Sequence, residues 1–202
     1  MSDAWEVVVG LVVGYLIGTF PSADLVARLA SGGTVDLRTE GSGNPGGLNT
    51  ARVLGRRWGA LVIVLDAAKG ALAGFIGLAI GDAATYAAGT AVVAGHCWPV
   101  WNGFRGGRGV ASTGGSFASV FPPNFVVDGV VTGVVALVTH SSRRAVRVAS
   151  MVLVALAALW WAAGFSNWWG PEPGPGLLVY AVATSAMVLV KFMGRGSGDD
   201  RL

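Results

Sequence analysis

Long apolar runs separated by short polar gaps are the feature that most restricts how this chain can fold. A helix needs about 20 apolar residues to cross the core of a bilayer, and five runs approach or reach that length. Of the 202 residues, 53% are hydrophobic and 12% are charged, whereas soluble domains are roughly 25% charged. The sequence therefore predicts an all-α, polytopic integral membrane bundle. The runs are residues 7–27, 58–80, 83–100, 148–165 and 177–192.

A further apolar segment, residues 109–139, lies between the third and fourth of these runs. It must cross twice if the basic gaps on either side of it, residues 98–113 and 139–147, lie on the same side of the membrane. Two full helices need about 40 residues, and Pro122-Pro123 is a natural turn between them. We therefore expect one or both helices to be short, or the first half to be a re-entrant half-helix of about a dozen residues.

The basic residues predict an orientation in the membrane. Short cytoplasmic loops are enriched in Lys and Arg, and every basic residue except Lys69 falls in a gap on one side. We predict about seven transmembrane helices, with the N-terminus outside and the C-terminus in the cytoplasm. The expected location is the cell inner (plasma) membrane. Residues 1–202 are expected to form a single domain, because no internal repeat is visible.

Several other classes of protein do not fit the sequence. The basic residues are scattered in short gaps rather than gathered on one polar face, so binding of nucleic acid is not expected. Cys97 is the single cysteine, so no intrachain disulfide can form. Residues 1–6 contain Asp3 and Glu6 but no basic residue, unlike the start of a cleavable signal. The first apolar run is therefore expected to be retained.

Two glycine-rich loops carry the polar chemistry. Residues 98–113, WPVWNGFRGGRGVAST, contain four glycines and two arginines, and residues 40–52, EGSGNPGGLNTAR, have the same character. Glycine lets successive amides face one concavity, and arginine matches phosphate oxygens with two N–H donors. The two loops therefore predict a shared phosphate site on one side of the membrane. The alternative is that the glycines form tight turns and the arginines anchor anionic lipid.

The glycines of the first loop do not indicate a dinucleotide site. Gly41, Gly43 and Gly46 match G-x-G-x-x-G, but that motif needs a strand before it and a helix after it. Here it follows a predicted membrane helix and contains Pro45. No G-x-x-x-x-G-K-[ST] sequence is present either.

Charged residues also occur within the apolar runs. Asp66 and Lys69 lie three residues apart, on one face of a helix, and are expected to neutralise each other inside the bundle. A direct ligand role for the pair is the alternative. Pro21 is expected to kink the first run, and Asp24 to pair with Arg28 one turn further on.

Three motifs in sequence resemble those of the bacterial acyl-phosphate:glycerol-3-phosphate acyltransferases, the PlsY family. GSGNPGGLNTAR resembles the SGNPGATN motif of that family with its following arginine, and LDAAKG resembles LDxxKG. GHCWPVWNGFRGGRGVAS resembles GHxxPVFxxFKGGKGVAT. Together the three cover residues 41–112, and their order matches the family.

The resemblance implies a seven-helix membrane enzyme. It would transfer a fatty acyl group from acyl phosphate to the 1-hydroxyl of glycerol 3-phosphate, forming lysophosphatidic acid in phospholipid biosynthesis. No cofactor and no metal ion are implied, and a monomer in contact with membrane lipid is expected. Positioning and electrostatics can supply much of the catalysis, because acyl phosphate is already activated.

The resemblance also implies roles for particular residues. Ser42, Asn49 and Arg52 would serve catalysis and positioning, and Ser150 matches a serine of the family's short TRYxSLAS segment. Asp66 and Lys69 would support the site, and His96 is expected to orient the second loop rather than to act as a general base. The residues expected to bind substrate phosphate are Arg105, Gly106, Gly107, Arg108 and Gly109, with arginines where the family usually has lysines.

The sequence departs from the family pattern in three places. Leu48 replaces the usual threonine of the first motif, and Arg147 stands where a serine is expected. The family's third motif brings a histidine, an asparagine and a glutamate, whereas this chain ends VKFMGRGSGDDRL. The alternatives are therefore a non-catalytic relative and a small transporter of an anionic, phosphate-bearing solute.

Overall fold

The computed structural model describes residues 3–193, so the GSGDDRL tail, with Arg201, and Arg195 lie outside the described residues. Within this range the chain forms nine α-helices and one short 3-10 helix, Val100–Asn102, which confirms the all-α prediction. The helices are α1 (Asp3–Gly18), α2 (Ser22–Ser31), α3 (Gly47–Leu54), α4 (Arg56–Leu78), α5 (Asp82–Cys97), α6 (Val110–Val120), α7 (Pro122–Thr139), α8 (Ser142–Ala163) and α9 (Pro175–Met193).

Five helical segments of residues 3–193 are long and apolar enough to cross a membrane: Asp3–Ser31, α4, α7, α8 and α9. They include four of the five predicted runs and the crossing expected after the Pro122 turn. The fifth run, residues 83–100, forms α5, which has only 16 residues. The 11 residues of α6 agree with the expectation that the two crossings in residues 109–139 include a short helix or a half-helix before Pro122.

The first candidate span is interrupted between α1 and α2. Pro21 has no backbone N–H to continue the helical hydrogen bonds, so α1 ends at Gly18 and α2 begins at Ser22. The predicted disturbance at Pro21 is thus confirmed. The carbonyl of Phe20, within the interruption, accepts a hydrogen bond from Lys69 Nζ at 3.0 Å. The break between α1 and α2 therefore leaves a carbonyl free to accept a hydrogen bond from the buried ammonium group of Lys69 on α4.

Helix α5 is at the centre of the bundle and contacts α1, α4, α6 and α9. The buried residues of α1 are all glycines, Gly10, Gly14 and Gly18, spaced so that they share one face. A Cβ at any of these positions would clash with the backbone of α5. Small residues at this spacing let two membrane helices approach closely. The glycines therefore bring α1 directly against α5.

Glycines also let the short helix α6 pack closely against the middle of α4. A Cβ at Gly70 in α4 would clash with the carbonyl of Ser112, and one at Gly115 in α6 would clash with the carbonyl of Ala67. Close approach from both sides holds the start of α6 near Asp66, which is one turn before Gly70. This contact places the second glycine-rich loop beside the buried charges of α4.

Asp24 in α2 connects the segment just before the first glycine-rich loop to the second loop. Both terminal nitrogens of Arg38 donate to its carboxylate, with Nη2 3.0 Å from Oδ2, and Asn102 Nδ2 donates to the same oxygen at 3.0 Å. Arg38 Nε also donates to the carbonyl of Arg105 at 3.1 Å. The sequence predicted Arg28 as the partner of Asp24, and this prediction is wrong. The hydrogen bond with Asp24 raises the pKa of Arg38 above its ordinary value.

We predict that Arg38→Gln lowers the free energy of unfolding by about 2 kcal/mol, because it removes the paired hydrogen bonds between charged groups. Thermal unfolding of the purified protein in detergent measures the effect. Arg28→Gln is the matched control, and an exposed arginine without this pairing should change stability by about 0.5 kcal/mol or less. Equal losses in the two variants would contradict the assigned partner.

Candidate active site

A cavity of about 320 Å³ lies between the two glycine-rich loops and helices α4, α7, α8 and α9. It brings together residues that are far apart in the sequence, from both loops and from the buried part of the bundle. The sequence-predicted site residues that line it are Ser42, Asn49, Arg52, Asp66, His96, Arg108 and Gly109. Arg105, Gly106, Gly107, Lys69 and Ser150 do not line it.

Asn49 organises the first loop. Its Nδ2 donates to the carbonyls of Leu37 at 3.1 Å and Glu40 at 3.0 Å, and its Oδ1 accepts the Ser42 amide at 2.7 Å. Gly41 has a positive φ of 56°, and a Cβ there would clash with Oδ1 of Asn49. The asparagine is 2% exposed, so it acts by holding the loop, with Ser42 at the cavity wall.

The N-terminal ends of two helices face the cavity. Gly46 and Gly47 begin α3, and Gly109 and Val110 begin α6, and all four line the cavity. The first amides of a helix have no partner within it and carry partial positive charge. Gly109 caps α6 with a φ of 84°, a conformation that favours glycine. The two ends together form a site suited to an anion.

The amides of Gly106 and Gly107 are hydrogen-bonded to the C-terminal end of α5. Gly106 donates to the carbonyl of Cys97 at 3.2 Å, and Gly107 donates to the carbonyl of His96 at 3.1 Å. A Cβ at Gly107 would clash with the imidazole of His96 and lie 3.0 Å from the carbonyl of Pro45. In this conformation these glycines therefore allow close packing of the two loops, and the amides that face the cavity belong to the start of α6.

Asp66, Lys69 and His96 form a buried charged cluster beside the loops. Lys69 Nζ lies 3.0 Å from Asp66 Oδ1, which confirms the predicted pairing. His96 Nδ1 lies 3.4 Å from the same oxygen, and the opposite edge of its ring faces Gly107. All three side chains are buried. The imidazole therefore lies between the charged pair and the second loop, as expected of a residue that orients that loop.

The arginines of the two loops differ in position. Arg52 and Arg108 line the cavity, from the first and second loop respectively. The Arg108 guanidinium carbon lies 4.5 Å from the centre of the Phe192 ring. Arg105 is exposed, and its backbone carbonyl, rather than its side chain, is held by Arg38. The two arginines of the second loop thus have separate environments.

Ser150 lies on a neighbouring small cavity with Asp128 and Thr184, enclosed by α6, α7, α8 and α9. Its carbonyl accepts a hydrogen bond from Ser185 Oγ at 3.5 Å. This small cavity shares Thr132 and two apolar residues with the main one. Ser150 therefore lines this adjoining cavity rather than the main one.

Sequence reasoning missed several residues that line the main cavity. Thr132 and Ser142 come from α7 and α8, and Asn44 comes from the first loop. Ser142 begins α8 within the polar gap of residues 139–147, which was a usable signal. The apolar part of the wall could not be recognised, because its residues resemble every other apolar residue of the bundle: Ile63, Ala136, Ala145, Val146 and Phe192.

Comparisons with known proteins identify the family of this chain. A family model described as glycerol-3-phosphate acyltransferase matches residues 8–195. A glycerol-3-phosphate acyltransferase of Halalkalibacterium halodurans is 38% identical over 174 residues, which cover 84% of this chain and 80% of the relative.

Two crystal structures share the fold, both of PlsY, described as an integral membrane glycerol 3-phosphate acyltransferase. The glycerol 3-phosphate form has a TM-score of 0.75 and 29% identity, covering 93% of this chain and 88% of that one. The lysophosphatidic acid form has a TM-score of 0.75 and 28% identity, covering 92% of this chain and 87% of that one. The chain therefore belongs to the glycerol-3-phosphate acyltransferase family.

Proposed function

We propose that this protein is the acyltransferase that moves a fatty acyl group from acyl phosphate to the 1-hydroxyl of glycerol 3-phosphate. The observation that carries the proposal is a single cavity that joins two helix N-termini, two arginines and an apolar wall. Both proposed substrates carry phosphate, and one carries a long apolar chain. The names of the related enzyme and of the two PlsY forms support glycerol 3-phosphate as acceptor and lysophosphatidic acid as product.

The phosphate groups are proposed to bind at the polar end of the cavity. Helix N-termini favour negative charge, and arginine presents planar donors that match phosphate oxygens. Arg52 and Arg108 stand beside the first turns of α3 and α6. Gly109 adopts the positive φ that begins α6 and packs closely on Cys97 and Val93, and Gly106 and Gly107 position the loop. Arg105 is left outside this pocket.

The acyl chain is proposed to lie along the apolar wall formed by α4, α7, α8 and α9. Ile63, Val146 and Phe192 contribute apolar surface there, and burial of each methylene group contributes about 0.8 kcal/mol. The reacting carbonyl carbon then lies where the apolar wall meets the arginines. This position explains how one cavity can accept both a lipid-like donor and a polar acceptor.

The reaction needs no covalent intermediate with the protein. The 1-hydroxyl oxygen forms a bond to the acyl carbonyl carbon, the carbon–oxygen bond to phosphate breaks, and the hydroxyl proton leaves with the inorganic phosphate. Arg52 stabilises the negative charge that shifts onto the departing phosphate, and Arg108, with the helix ends, holds the phosphate of glycerol 3-phosphate. Asn49 acts through the loop that it holds, Ser42 lies at the wall, and His96 with Asp66 and Lys69 keeps the second loop in place.

The alternatives, a non-catalytic relative and a transporter, are not favoured. The family model and the curated relative are acyltransferases. The arginines and glycines also lie in loops at helix ends, whereas transporters usually bind their substrate near the membrane midplane between repeated halves. No specific feature of the described residues favours transport.

The membrane arrangement is proposed to include α5 and α6 as short crossings. Together with α1, α4, α7, α8 and α9 they give about seven, which places both glycine-rich loops on the side with the basic residues. We propose that this side is the cytoplasm, with the N-terminus outside, in a plasma membrane protein that acts as a monomer.

This topology can be tested by labelling introduced cysteines with a reagent that does not cross the membrane. In intact cells carrying a Cys97→Ser background, Glu172→Cys should react and Arg56→Cys should not. Breaking the cells should make the second cysteine reactive. The reverse pattern would contradict the orientation.

Two variants of the second loop test the phosphate site. Arg108→Gln should lower kcat/KM for lysophosphatidic acid formation by about 100-fold, since a charge-assisted donor to the phosphate of glycerol 3-phosphate is lost. Arg105→Gln, its matched control, should lower it by about fivefold at most, as expected for an exposed charge. Release of inorganic phosphate from acyl phosphate by purified protein provides the measurement. A larger loss for Arg105→Gln would argue against the proposed pocket.

Gly107→Ala tests the packing of the second loop. The added methyl group must displace the His96 ring, which shifts the loop, so the KM for glycerol 3-phosphate should rise by about 10- to 100-fold, more than kcat falls. Gly114→Ala is the control, because a Cβ there meets nothing within 4 Å. Unchanged kinetics in folded Gly107→Ala protein would rule out this role.

A further inference from the structure

The end of α9 contacts the second glycine-rich loop through two adjacent residues. Phe192 is 5% exposed, lines the main cavity, and its ring lies 4.5 Å from the guanidinium carbon of Arg108. The aromatic face attracts a cation, and the attraction is strongest where water is excluded. Phe192 therefore restrains Arg108 at the end of the loop that leads into α6.

Lys191 contacts the other end of the same loop. Its Nζ donates to the carbonyl of Cys97 at 2.8 Å and lies 5.5 Å from the centre of the Trp98 ring. The Cys97 carbonyl also accepts the Gly106 amide at 3.2 Å. A lysine at this position stabilises the C-terminal end of α5, where carbonyls lack helical partners. Lys191 thereby fixes the start of the loop.

We propose that Phe192 and Lys191 are positioning residues that hold Arg108 in its phosphate-binding orientation. The inference rests on the proposed function, since it takes the phosphate of glycerol 3-phosphate as the ligand of Arg108. A guanidinium held over the face of an aromatic ring is restricted in position by its attraction to the ring. The ring offers no oxygen acceptor for the N–H donors, so this contact does not compete with phosphate for them.

This arrangement gives α9 a part in the site through residues that no sequence motif identified. Phe192 is also packed against Val146 and Val188, so α8 and the preceding turn of α9 fix the ring. The orientation of Arg108 consequently depends on the packing of the last two long helices. Movement of α9 away from α5 would release both ends of the loop together.

The test compares two replacements of Phe192 in the full-length protein. Phe192→Leu keeps an apolar side chain of similar size but removes the ring, and should raise the KM for glycerol 3-phosphate about tenfold, with little change in the KM for acyl phosphate. Phe192→Tyr keeps the ring and should restore most of the affinity. Lys191→Met should raise the same KM. Met193→Leu, at an exposed position, is the control and should leave both constants unchanged.

Binding of labelled glycerol 3-phosphate to the same variants separates the two proposals. If the wild-type protein binds it but forms no product, the proposed reaction fails, and a weaker affinity in Phe192→Leu still supports the positioning role. Equal kinetics and affinity in the wild-type, Phe192→Leu and Phe192→Tyr proteins would overturn the inference. An equal loss in Phe192→Leu and Phe192→Tyr would also overturn it, and absence of binding to the wild-type protein would overturn both.

Discussion

The buried pair Asp66–Lys69 is the interaction on which the arrangement of the site depends. Charges inside a membrane bundle are costly unless they are paired and hydrogen-bonded. Here Lys69 donates a hydrogen bond to the Phe20 carbonyl, in the break before α2, and the His96 ring of α5 lies beside the Asp66 carboxylate. Satisfying these charges therefore fixes the helix break, the end of α5 and the loop that follows it.

Close backbone contact supplies the rigidity around this cluster. Glycines allow α1 to approach α5 and α4 to approach α6, and dispersion contacts drive such packing because lipid offers no hydrophobic gain between membrane helices. The short α6 starts beside the cluster as a result, with its N-terminus at the cavity. The short length of α6 therefore matters for the site. A longer helix that ended at the same Pro122 turn would begin beyond the buried charges of Asp66 and Lys69.

Much of the fold could be predicted because the length of an apolar run and the position of a proline determine helix bounds from neighbouring residues alone. The runs, the break at Pro21, the turn at Pro122 and the short α6 all followed from them. The partner of Asp24 could not be found this way, since Arg38 lies beyond the helical turn to which spacing rules apply. The sequence also did not reveal that the Gly106 and Gly107 amides bond to the end of α5. The four-residue glycine spacing in α1 was visible but was not used.

We propose that phosphate binds between the N-termini of α3 and α6, beside Arg108. An experimental structure of this protein with glycerol 3-phosphate bound is the most direct test. The phosphate should lie against the first-turn amides of these helices, in contact with Arg108 and with Arg105 outside the pocket. Phosphate bound at the exposed side of the second loop, near Arg105 and Arg38, would contradict it.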